Sequence, residues 1–497
     1  MIIGNEILNY REDIIRSLCE LIKIKSVADT PREGKPFGEG VNRALEYVLS
    51  LGESLGLKTK NVDGYAGHVE YGEGEEITGV LVHLDIVPEG TGWTIPPFEG
   101  IVNEGKIYGR GASDNKGPAI AAVYGLKALK DSGIIPKRKI RVILGTNEET
   151  GMQDMQYYFS KEPVPDLGFS PDAMYPIINR EKGILHLALI KNEHDKGKNI
   201  YGDKYNGSCN DNFKKGCKYA HEFPIWKIWG GEAVNMVPDE CRAQIPAEFI
   251  KLKDVVYLQE LAKKNSGENI LISFDTNNGL NILAKGKSAH GASPQSGVNA
   301  VYGLLDFLHN AENSMKSNGN EENAAFSYMD NYLKFIYEKK IGSDTTGHSL
   351  GIDLKDEESG ALTLNLGKID YNQAEKRVLL DIRYPVTCKY EGIVETIKEQ
   401  AGKEGIQVEV VGHSLPLYVS ATHPLITKLS NAYEKITGEK ANLLSMGGGT
   451  YARTLKNNGV AFGGVGEGAH QPDENVSIED LMRHAEICTQ AIYEIAT

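Results

Sequence analysis

The chain has 497 residues, more than one ordinary hydrophobic core accommodates, and this length predicts two to four domains. Hydrophobic residues make up 40% of it and charged residues 25%, as in soluble globular proteins. The formal net charge of −14 argues against nucleic acid and anionic membranes as partners, because both attract basic surfaces.

The sequence also predicts where the protein works. The first twenty residues mix acids and bases with apolar residues, so we expect no secretion signal. No stretch approaches the apolar length needed to span a bilayer. The six cysteines are scattered without CxxC pairs, which argues against a disulfide framework and favours the reducing cytoplasm.

The first third of the chain has the pattern of an α/β sheet. Apolar residues at helical spacing predict a helix over Ile7–Ile24. Two apolar runs, Gly79–Val82 and Ile140–Leu144, predict buried strands that each end in polar residues, and Gly117–Lys130 predicts a helix packed on the sheet. Because ligands bind at the carboxyl ends of such strands, the polar residues there are candidates for a site.

The pattern changes after about Lys182. Residues Asn192–Glu222 are polar and predict a long surface excursion, and an α+β region follows. Its predicted elements are the strands Ile184–Ile190, Ile282–Gly286 and Ala361–Leu366 and the helices Val298–Leu308 and Tyr390–Lys403. Beyond Gln407, strands and helices alternate again up to a helix that begins at Ile478. This pattern allows three consecutive domains or one α/β domain interrupted by a large insert.

Several residues able to bind a metal ion stand beside the predicted strands and helices. They are His83, Asp114, the pair Glu148–Glu149, Asp172 and His470. Each alone has an ordinary explanation, such as a hydrogen-bonded histidine, a solvated pair of acids or a tight glycine turn. Their combination matters more, because one α/β sheet would gather most of them along a single edge.

Two motifs carry a resemblance to a known family. Residues 83–88 are His-Leu-Asp-Ile-Val-Pro, and residues 109–118 are Gly-Arg-Gly-Ala-Ser-Asp-Asn-Lys-Gly-Pro. They resemble the dinuclear zinc exopeptidases of the aminoacylase and carboxypeptidase type, and among these the bacterial PepV-type (Xaa-His, carnosinase-like) dipeptidases. The resemblance implies a catalytic α/β domain with a mixed, mostly parallel central sheet, formed by 1–182 and 389–497. An α+β lid domain over 183–388 would interrupt it.

The resemblance also implies two divalent metal ions in each chain. His83, Asp172 and Asp114 would hold one ion, and Asp114, Glu149 and His470 would hold the other. A carboxylate such as that of Asp114 can bridge two cations roughly 3.5–4 Å apart. Imidazole and carboxylate ligands suit zinc, which the family favours, and also manganese or cobalt.

Two further acids would serve the reaction. Asp85, two residues after His83, would orient its imidazole ring. Glu148 would act as the general base, taking a proton from a water molecule that bridges the metals and passing it to the leaving amine. If Glu148 were only a neighbour of the ligands, the hydrolase would lack a proton shuttle.

The remaining candidates would contact the substrate. Asn235 and His290 match contact positions of the family, and His290 would stabilise the oxyanion. Arg383 would bind the C-terminal carboxylate of the substrate with its guanidinium fork. From the sequence alone, His290 could equally be a surface histidine and Arg383 an ion-paired strand residue. The same carboxylate would also meet a backbone nest formed by Gly448, Gly449 and Thr450.

These inferences predict a metal-dependent dipeptidase that hydrolyses short unblocked peptides. The predicted insert is much longer than the lid of the dimeric deacylases of this family, which favours a monomer that closes over both ends of a short substrate. One alternative is an N-acyl amino acid deacylase or desuccinylase with the same metals. Another is a non-catalytic amino-acid-binding protein, although every expected ligand and base position is filled.

Overall fold

The computed structural model describes residues 1–192, 225, 227–247, 250–265, 269–317, 327–372 and 374–497. Apart from Asn192, the predicted surface excursion over Asn192–Glu222 lies outside these described ranges. The chain forms two compact units. The first comprises Met1–Glu181 and Leu417–Thr497, and the second comprises Lys182–Pro416.

The helices within the described ranges are numbered in chain order. They are α1 (Arg11–Ile22), α2 (Glu39–Ser54), α3 (Lys116–Asp131), α4 (Gln153–Lys161), α5 (Leu252–Asn265), α6 (Ala300–Ser317), α7 (Asn331–Glu338), α8 (Tyr390–Gly402), α9 (Pro424–Thr437) and α10 (Ile478–Ala496). Short 3-10 helices span Gly4–Tyr10, Pro294–Ser296, His348–Leu350 and Tyr451–Leu455. In this described part of the chain, no helix combines the length and apolar character that crossing a membrane requires.

The strands are numbered in the same way. They are β1 (Lys58–Val62), β2 (Ala66–Tyr71), β3 (Ile77–His83), β4 (Ile101–Asn103), β5 (Lys106–Tyr108), β6 (Lys139–Gly145), β7 (Leu167–Ser170), β8 (Ile177–Glu181), β9 (Gly183–Asn192), β10 (Lys227–Gly230), β11 (Glu240–Ile245), β12 (Ile270–Asp275), β13 (Gly279–Lys285), β14 (Lys355–Asp356), β15 (Gly360–Ala361), β16 (Thr363–Asn372), β17 (Glu375–Tyr384), β18 (Gln407–Ser414), β19 (Leu417–Tyr418), β20 (Leu443–Met446), β21 (Gly459–Ala461) and β22 (Asn475–Ser477).

The first unit is built on a mixed sheet with the strand order β1-β2-β6-β3-β7-β21-β8-β19, and β20 also pairs with β8. The four central strands β6, β3, β7 and β21 run parallel, as do β20 and β8. The remaining pairings, towards both edges, are antiparallel. The predicted mixed α/β sheet is therefore confirmed, with the parallel pairing concentrated in its centre.

Alternating side chains of β3 place apolar layers on both faces of this sheet. Val80 and Val82 belong to the large core that α1, α2, α3, α9 and α10 build, whereas Leu81 packs in a smaller core with Tyr158 and Leu455. Helix α3 is buried along most of its length because it lies between the sheet and α10. The sheet is thus covered on both faces, so a ligand-binding site on this sheet is expected at the ends of its strands.

The second unit has the predicted α+β character. Its main sheet is antiparallel throughout, with the order β12-β13-β11-β10-β16-β17-β9-β18. Helix α6 packs on β11 and β13, α5 on β12, and α8 on β18. Apolar residues of the strands and helices form one core.

Two details differ from the sequence-based expectations. Residues 7–10, at the start of the predicted helix Ile7–Ile24, belong to the 3-10 helix Gly4–Tyr10, which leads into α1. The expected insert 183–388 also ends too early, because residues 389–416 belong to the second unit. There β18 pairs with β9, and α8 packs on β18, so both elements complete the antiparallel sheet.

Candidate metal centre and active site

Three neighbouring strands of the first unit deliver acidic and imidazole side chains to one edge of its sheet. His83 is the last residue of β3, Glu148 and Glu149 follow β6, and Asp172 follows β7. β3 lies between β6 and β7, and all three strands run parallel. Because the carboxyl ends of adjacent parallel strands meet at the same edge, the sheet itself brings these four side chains together.

Two loops of the same unit complete the cluster. Asp114 lies in the glycine-rich turn just before α3, and its peptide bond to Asn115 is cis. His470 lies in the segment before β22 with a φ of 64°, in the left-handed region that residues other than glycine seldom adopt. Its side chain is half exposed, whereas that of His83 is buried.

Asp114 occupies the centre of this arrangement. Its Oδ1 atom lies 2.9 Å from Nε2 of His83, and its Oδ2 atom lies 3.2 Å from Nε2 of His470. Nε2 of His83 also lies 3.6 Å from Oδ1 of Asp172, and Nε2 of His470 lies 3.2 Å from Oε1 of Glu149. The two oxygens of one carboxylate thus face two different imidazoles, each with a second carboxylate beside it.

The chemistry of this donor set fits divalent cations. Ligand atoms of His83, Asp114 and Glu149 lie within 4.8 Å of one another, as do those of His83, Glu148 and Asp172. Burial, together with the charge of Asp114, raises the pKa of Asp172 to about 7, although His83 opposes this. Burial and the charge of Asp172 likewise raise the pKa of Glu148 well above its usual range. Crowded, poorly solvated carboxylates of this kind are stabilised by metal ions.

The ring of His83 is held in the orientation that a metal ligand needs. Its Nδ1 atom lies 3.0 Å from the backbone carbonyl oxygen of Asp85, which can only accept a hydrogen bond. Nδ1 therefore carries a proton, and Nε2 is the ring atom that faces Asp114 and Asp172. The nearest partner of Nδ1 is thus the carbonyl oxygen of Asp85, since the carboxylate oxygen Oδ1 of Asp85 lies 3.5 Å from Nδ1.

The carboxylate of Asp85 contacts a different part of the site. Its Oδ1 atom accepts the backbone N–H of Glu148, and its Oδ2 atom accepts that of Glu149, both at 3.1 Å. Asp85 is buried, so these two bonds are shielded from water. One residue therefore fixes both the ring of His83 and the backbone that carries the two glutamates.

The glycine loop predicted to bind a substrate carboxylate contacts a carboxylate of the protein itself. The N–H and the hydroxyl group of Thr450 donate to Glu181, at 3.3 and 2.7 Å, and Nε of Arg453 donates to it at 2.6 Å. Gly448 contributes its carbonyl oxygen, which accepts a hydrogen bond from Nη2 of Arg453. The polar groups of Thr450 are therefore engaged within the first unit.

The predicted residues Asn235 and His290 lie side by side in the second unit. Met236 and His290 form an isolated β-bridge, and the N–H of Gly291 donates to the carbonyl oxygen of Asn235 at 2.6 Å. A Cβ atom at Gly291 would lie 2.3 Å from Oδ2 of Asp381, so only glycine fits there. The second unit thus brings the segments of Asn235 and His290 next to the strand that carries Arg383.

Arg383 itself is held by a buried acid. Its Nε atom lies 2.8 Å from Oδ1 of Asp381, and its Nη2 atom donates to Oδ2 at 2.9 Å. Nε2 of His186 lies 3.3 Å from the same Oδ1 atom. Asp381 is completely buried, so this ion pair fixes the orientation of the guanidinium group.

Comparison with known proteins identifies the family of the chain. The family model described as Peptidase family M20/M25/M40 matches residues 79–494. The chain belongs to this peptidase family. The match includes His83, Asp114, Glu148–Glu149, Asp172 and His470, so the whole cluster lies within the region that defines the family.

Full-length relatives of this M20/M25/M40 peptidase agree with the family match. The chain is 39% identical over 498 residues to YtjP of Bacillus subtilis (strain 168), which is named provisionally as a dipeptidase, and the alignment covers 99% of each protein. It is 35% identical over 496 residues to the Beta-Ala-Xaa dipeptidase of Lactobacillus delbrueckii subsp. lactis, covering 98% of this chain and 96% of the relative.

Solved structures show the same fold at low sequence identity. The M20 family metallo-carboxypeptidase Sso-CP2 from Sulfolobus solfataricus has a TM-score of 0.57 at 16% identity, with 97% of this chain and 99% of that chain covered. Human carnosine dipeptidase 1 has a TM-score of 0.54 at 13% identity, with 99% of both chains covered. The two-unit architecture of this M20/M25/M40 peptidase is therefore shared across nearly the whole chain.

Sequence reasoning missed one acid that supports the segment after β6. Oδ2 of the buried Asp154 accepts the N–H groups of Thr146 and Asn147, at 2.7 and 3.0 Å, and the hydroxyl group of Tyr451 donates to the same atom. Burial and the charge of Asp85 raise the pKa of Asp154 to about 6. Nothing in the sequence pairs Asp154 with Tyr451, because only the fold brings them into contact.

A second missed pair supports the turn of Asp114. Arg110 and Glu474 form a buried ion pair in which Nη1 lies 2.7 Å from Oε2. Arg110 belongs to the motif 109–118 that carries the family resemblance, yet residue type alone gave neither residue a role. The place of Arg110 inside that motif was the signal available from the sequence.

Proposed function

We propose that the protein is a metal-dependent dipeptidase that hydrolyses short unblocked peptides, mainly dipeptides. The observation that carries this proposal is the position of Asp114, whose two oxygens face His83 and His470. Membership of a peptidase family and relatives named as dipeptidases support the same reaction.

We assign two divalent cations to the cluster in the first unit. His83 and Asp172 would hold one of them, Glu149 and His470 the other, and Asp114 both. Imidazole and carboxylate donors suit zinc and also accept manganese or cobalt. When bound, such cations polarise the scissile carbonyl group and lower the pKa of water.

Glu148 is the residue that we assign to proton transfer. Its carboxylate lies within 4.8 Å of ligand atoms of His83 and Asp172, and the two sets of ligands assigned above do not include it. Its carboxylate would accept a proton from the attacking water and deliver it to the nitrogen of the leaving amine. Asp85 supports this step because it holds the backbone N–H groups of Glu148 and Glu149.

The substrate-binding residues that we assign lie mainly in the second unit. The imidazole of His290 would donate to the developing oxyanion, and Asn235 would contact the peptide. Arg383, oriented by Asp381, would bind the C-terminal carboxylate. In the first unit we keep Gly448 and Gly449 as backbone contacts and assign Thr450 to the loop itself, since Glu181 engages its polar groups.

We further propose that the protein acts as a cytoplasmic monomer. The four cysteines among the described residues, Cys19, Cys241, Cys388 and Cys488, form no disulfide with one another. Free cysteines of this kind are typical of reducing compartments. The small peptide substrate is the only partner that the proposal requires.

A panel of small substrates tests the proposal. The metal-reconstituted protein would be incubated with Ala-His, β-Ala-His, Leu-Leu, a tripeptide and an N-acetyl amino acid, and released amino acids would be measured. We expect cleavage of the dipeptides and little or none of the tripeptide and the acetylated compound. Cleavage of the acetylated compound alone would identify a deacylase instead.

A further inference from the structure

Glu474 lies directly beneath the turn that carries Asp114. Its side chain is completely buried. Its Oε1 atom accepts the backbone N–H groups of Ser113 and Asp114, at 3.0 and 3.1 Å, and its Oε2 atom accepts that of Gly111 at 3.0 Å. Three N–H groups of the turn thus converge on one carboxylate, as in an anion-binding nest.

The same residue lies at the base of the loop that carries His470. The neighbouring Asn475 exchanges two backbone hydrogen bonds with Glu467, at 2.8 and 3.1 Å, so residues 467–475 form a closed loop around His470. The carbonyl oxygen of Glu474 accepts the N–H of Gly109 at 2.9 Å. Glu474 therefore joins the base of this loop to the turn of Asp114.

Arg110 strengthens this connection from the other side. Its Nη1 atom donates to Oε2 of Glu474 at 2.7 Å and to the carbonyl oxygen of Gln471, next to His470, at 3.1 Å. Its guanidinium carbon lies 5.1 Å from the ring centroid of Trp93, a cation–π contact. A buried charge with these fixed partners keeps Glu474 in one position.

We infer that Glu474 is a positioning residue that holds Asp114 and His470 at the spacing required to bind metal ions. This inference rests on the proposed metal-dependent function. Residues that orient metal ligands in this way typically contribute about 10–100-fold to metal affinity. Glutamate is required rather than glutamine, because an amide NH2 group cannot accept the N–H groups that converge here.

The test compares Glu474→Gln with Glu162→Gln. Glu162 also forms a buried ion pair with an arginine of the first unit, Arg141, at 2.8 Å, but contacts no residue of the cluster. Zinc affinity would be measured by titration of the chelator-stripped proteins, together with thermal unfolding and with peptide hydrolysis at increasing zinc concentration. A purely structural role would lower the unfolding temperature of both variants without separating their metal affinities.

We expect Glu474→Gln to bind zinc about 10–100-fold more weakly, and excess zinc to restore much of its activity. Glu162→Gln should retain the zinc affinity of the wild type. Unchanged zinc affinity of Glu474→Gln, or an equal loss in Glu162→Gln, would overturn the inference. If Glu474→Gln does not fold, Glu474→Asp is tested in its place. Aspartate keeps the negative charge, but its side chain is one methylene shorter, so its oxygens lie farther from the turn. Unchanged zinc affinity of Glu474→Asp would also overturn the inference.

The wild-type titration distinguishes a failure of the inference about Glu474 from a failure of the proposed function. If the wild type binds zinc and Glu474→Gln binds it equally well, only the inferred role of Glu474 is refuted. If the wild type binds neither zinc nor manganese nor cobalt, the proposed function is refuted, and the inference about Glu474 is refuted with it.

Discussion

The Nε2 atom of His83 lies 2.9 Å from the Oδ1 atom of Asp114. The other oxygen of this carboxylate faces His470, although 31 residues separate Asp114 from His83 and more than three hundred separate it from His470. A carboxylate placed between two imidazoles in this way offers one oxygen to each of two cations.

Replacing Asp114 with asparagine should weaken the binding of both ions. The amide offers one oxygen and one NH2 group, so it cannot present an acceptor towards both His83 and His470. We expect metal affinity to fall about 100-fold or more, as measured by metal content after dialysis and by titration. Asp131→Asn, an exposed change on α3, serves as the control. Full metal loading of Asp114→Asn would contradict the bridging role.

Glu148→Gln should separate chemistry from metal binding. The amide cannot carry a proton, so turnover should fall about 10²–10⁴-fold, whereas metal affinity should be kept. The neighbouring Glu149→Gln should do the opposite and weaken metal binding first, because Glu149 faces His470. Activity of Glu148→Gln close to that of the wild type would show that another group is the base.

Arg383→Lys should reveal which end of the substrate Arg383 contacts. Lysine retains a positive charge beside Asp381 but not the planar fork that matches a carboxylate. We expect KM for a dipeptide to rise about tenfold, the equivalent of 1.4 kcal/mol, with a smaller change for the corresponding dipeptide amide. Equal changes for both substrates would exclude a contact with the C-terminal carboxylate. Thermal unfolding would report any disturbance of the buried ion pair.

The stability of the first unit should decrease in acid through His484. Burial lowers the pKa of His484 to about 4, below the 6.5 expected in the unfolded chain. The unfolded state therefore binds a proton more readily, and the stabilisation present above pH 6.5 is lost as the pH falls towards 4. Between pH 7 and pH 5 this amounts to about 2 kcal/mol of unfolding free energy.

The variant His484→Asn tests this linkage. Asparagine does not titrate, so the difference in thermal unfolding midpoint between pH 7 and pH 5 should shrink relative to the wild type. His348→Asn serves as the control, because His348 is exposed and Asp353 raises rather than lowers its pKa. If His484→Asn keeps the full acid sensitivity of the wild type, the titration of His484 does not contribute to it.

The sequence predicted the catalytic sheet well because its signals are local. The apolar runs before His83 and Thr146 define β3 and β6, and the alanine-rich segment after Asn115 defines α3. The histidine and carboxylate side chains able to bind a metal ion stand next to these elements. Their positions beside the predicted strands and helices therefore indicated that they lie at one edge of the sheet. Long periodic segments with buried faces are the ones that pattern reasoning identifies most securely.

Other features depend on contacts between distant parts of the chain. The end of the second unit could not be predicted, because only the pairing of β18 with β9 assigns residues 407–414 to it. Likewise, the carboxylate of Glu181 accepts a hydrogen bond from Thr450 in the glycine loop. The Nδ1 atom of His83 contacts the carbonyl oxygen of Asp85 rather than its carboxylate. Such contacts have no local signal, since they depend on the packed geometry.

The most direct test of the account is a titration of the chelator-stripped protein with zinc, manganese or cobalt while Ala-His hydrolysis is followed. We expect no activity without metal, and activity that rises to its maximum as about two equivalents are bound, because the two oxygens of Asp114 face two different imidazoles. Dipeptide hydrolysis that persists in the metal-free protein, or none with any of the three metals, would contradict it.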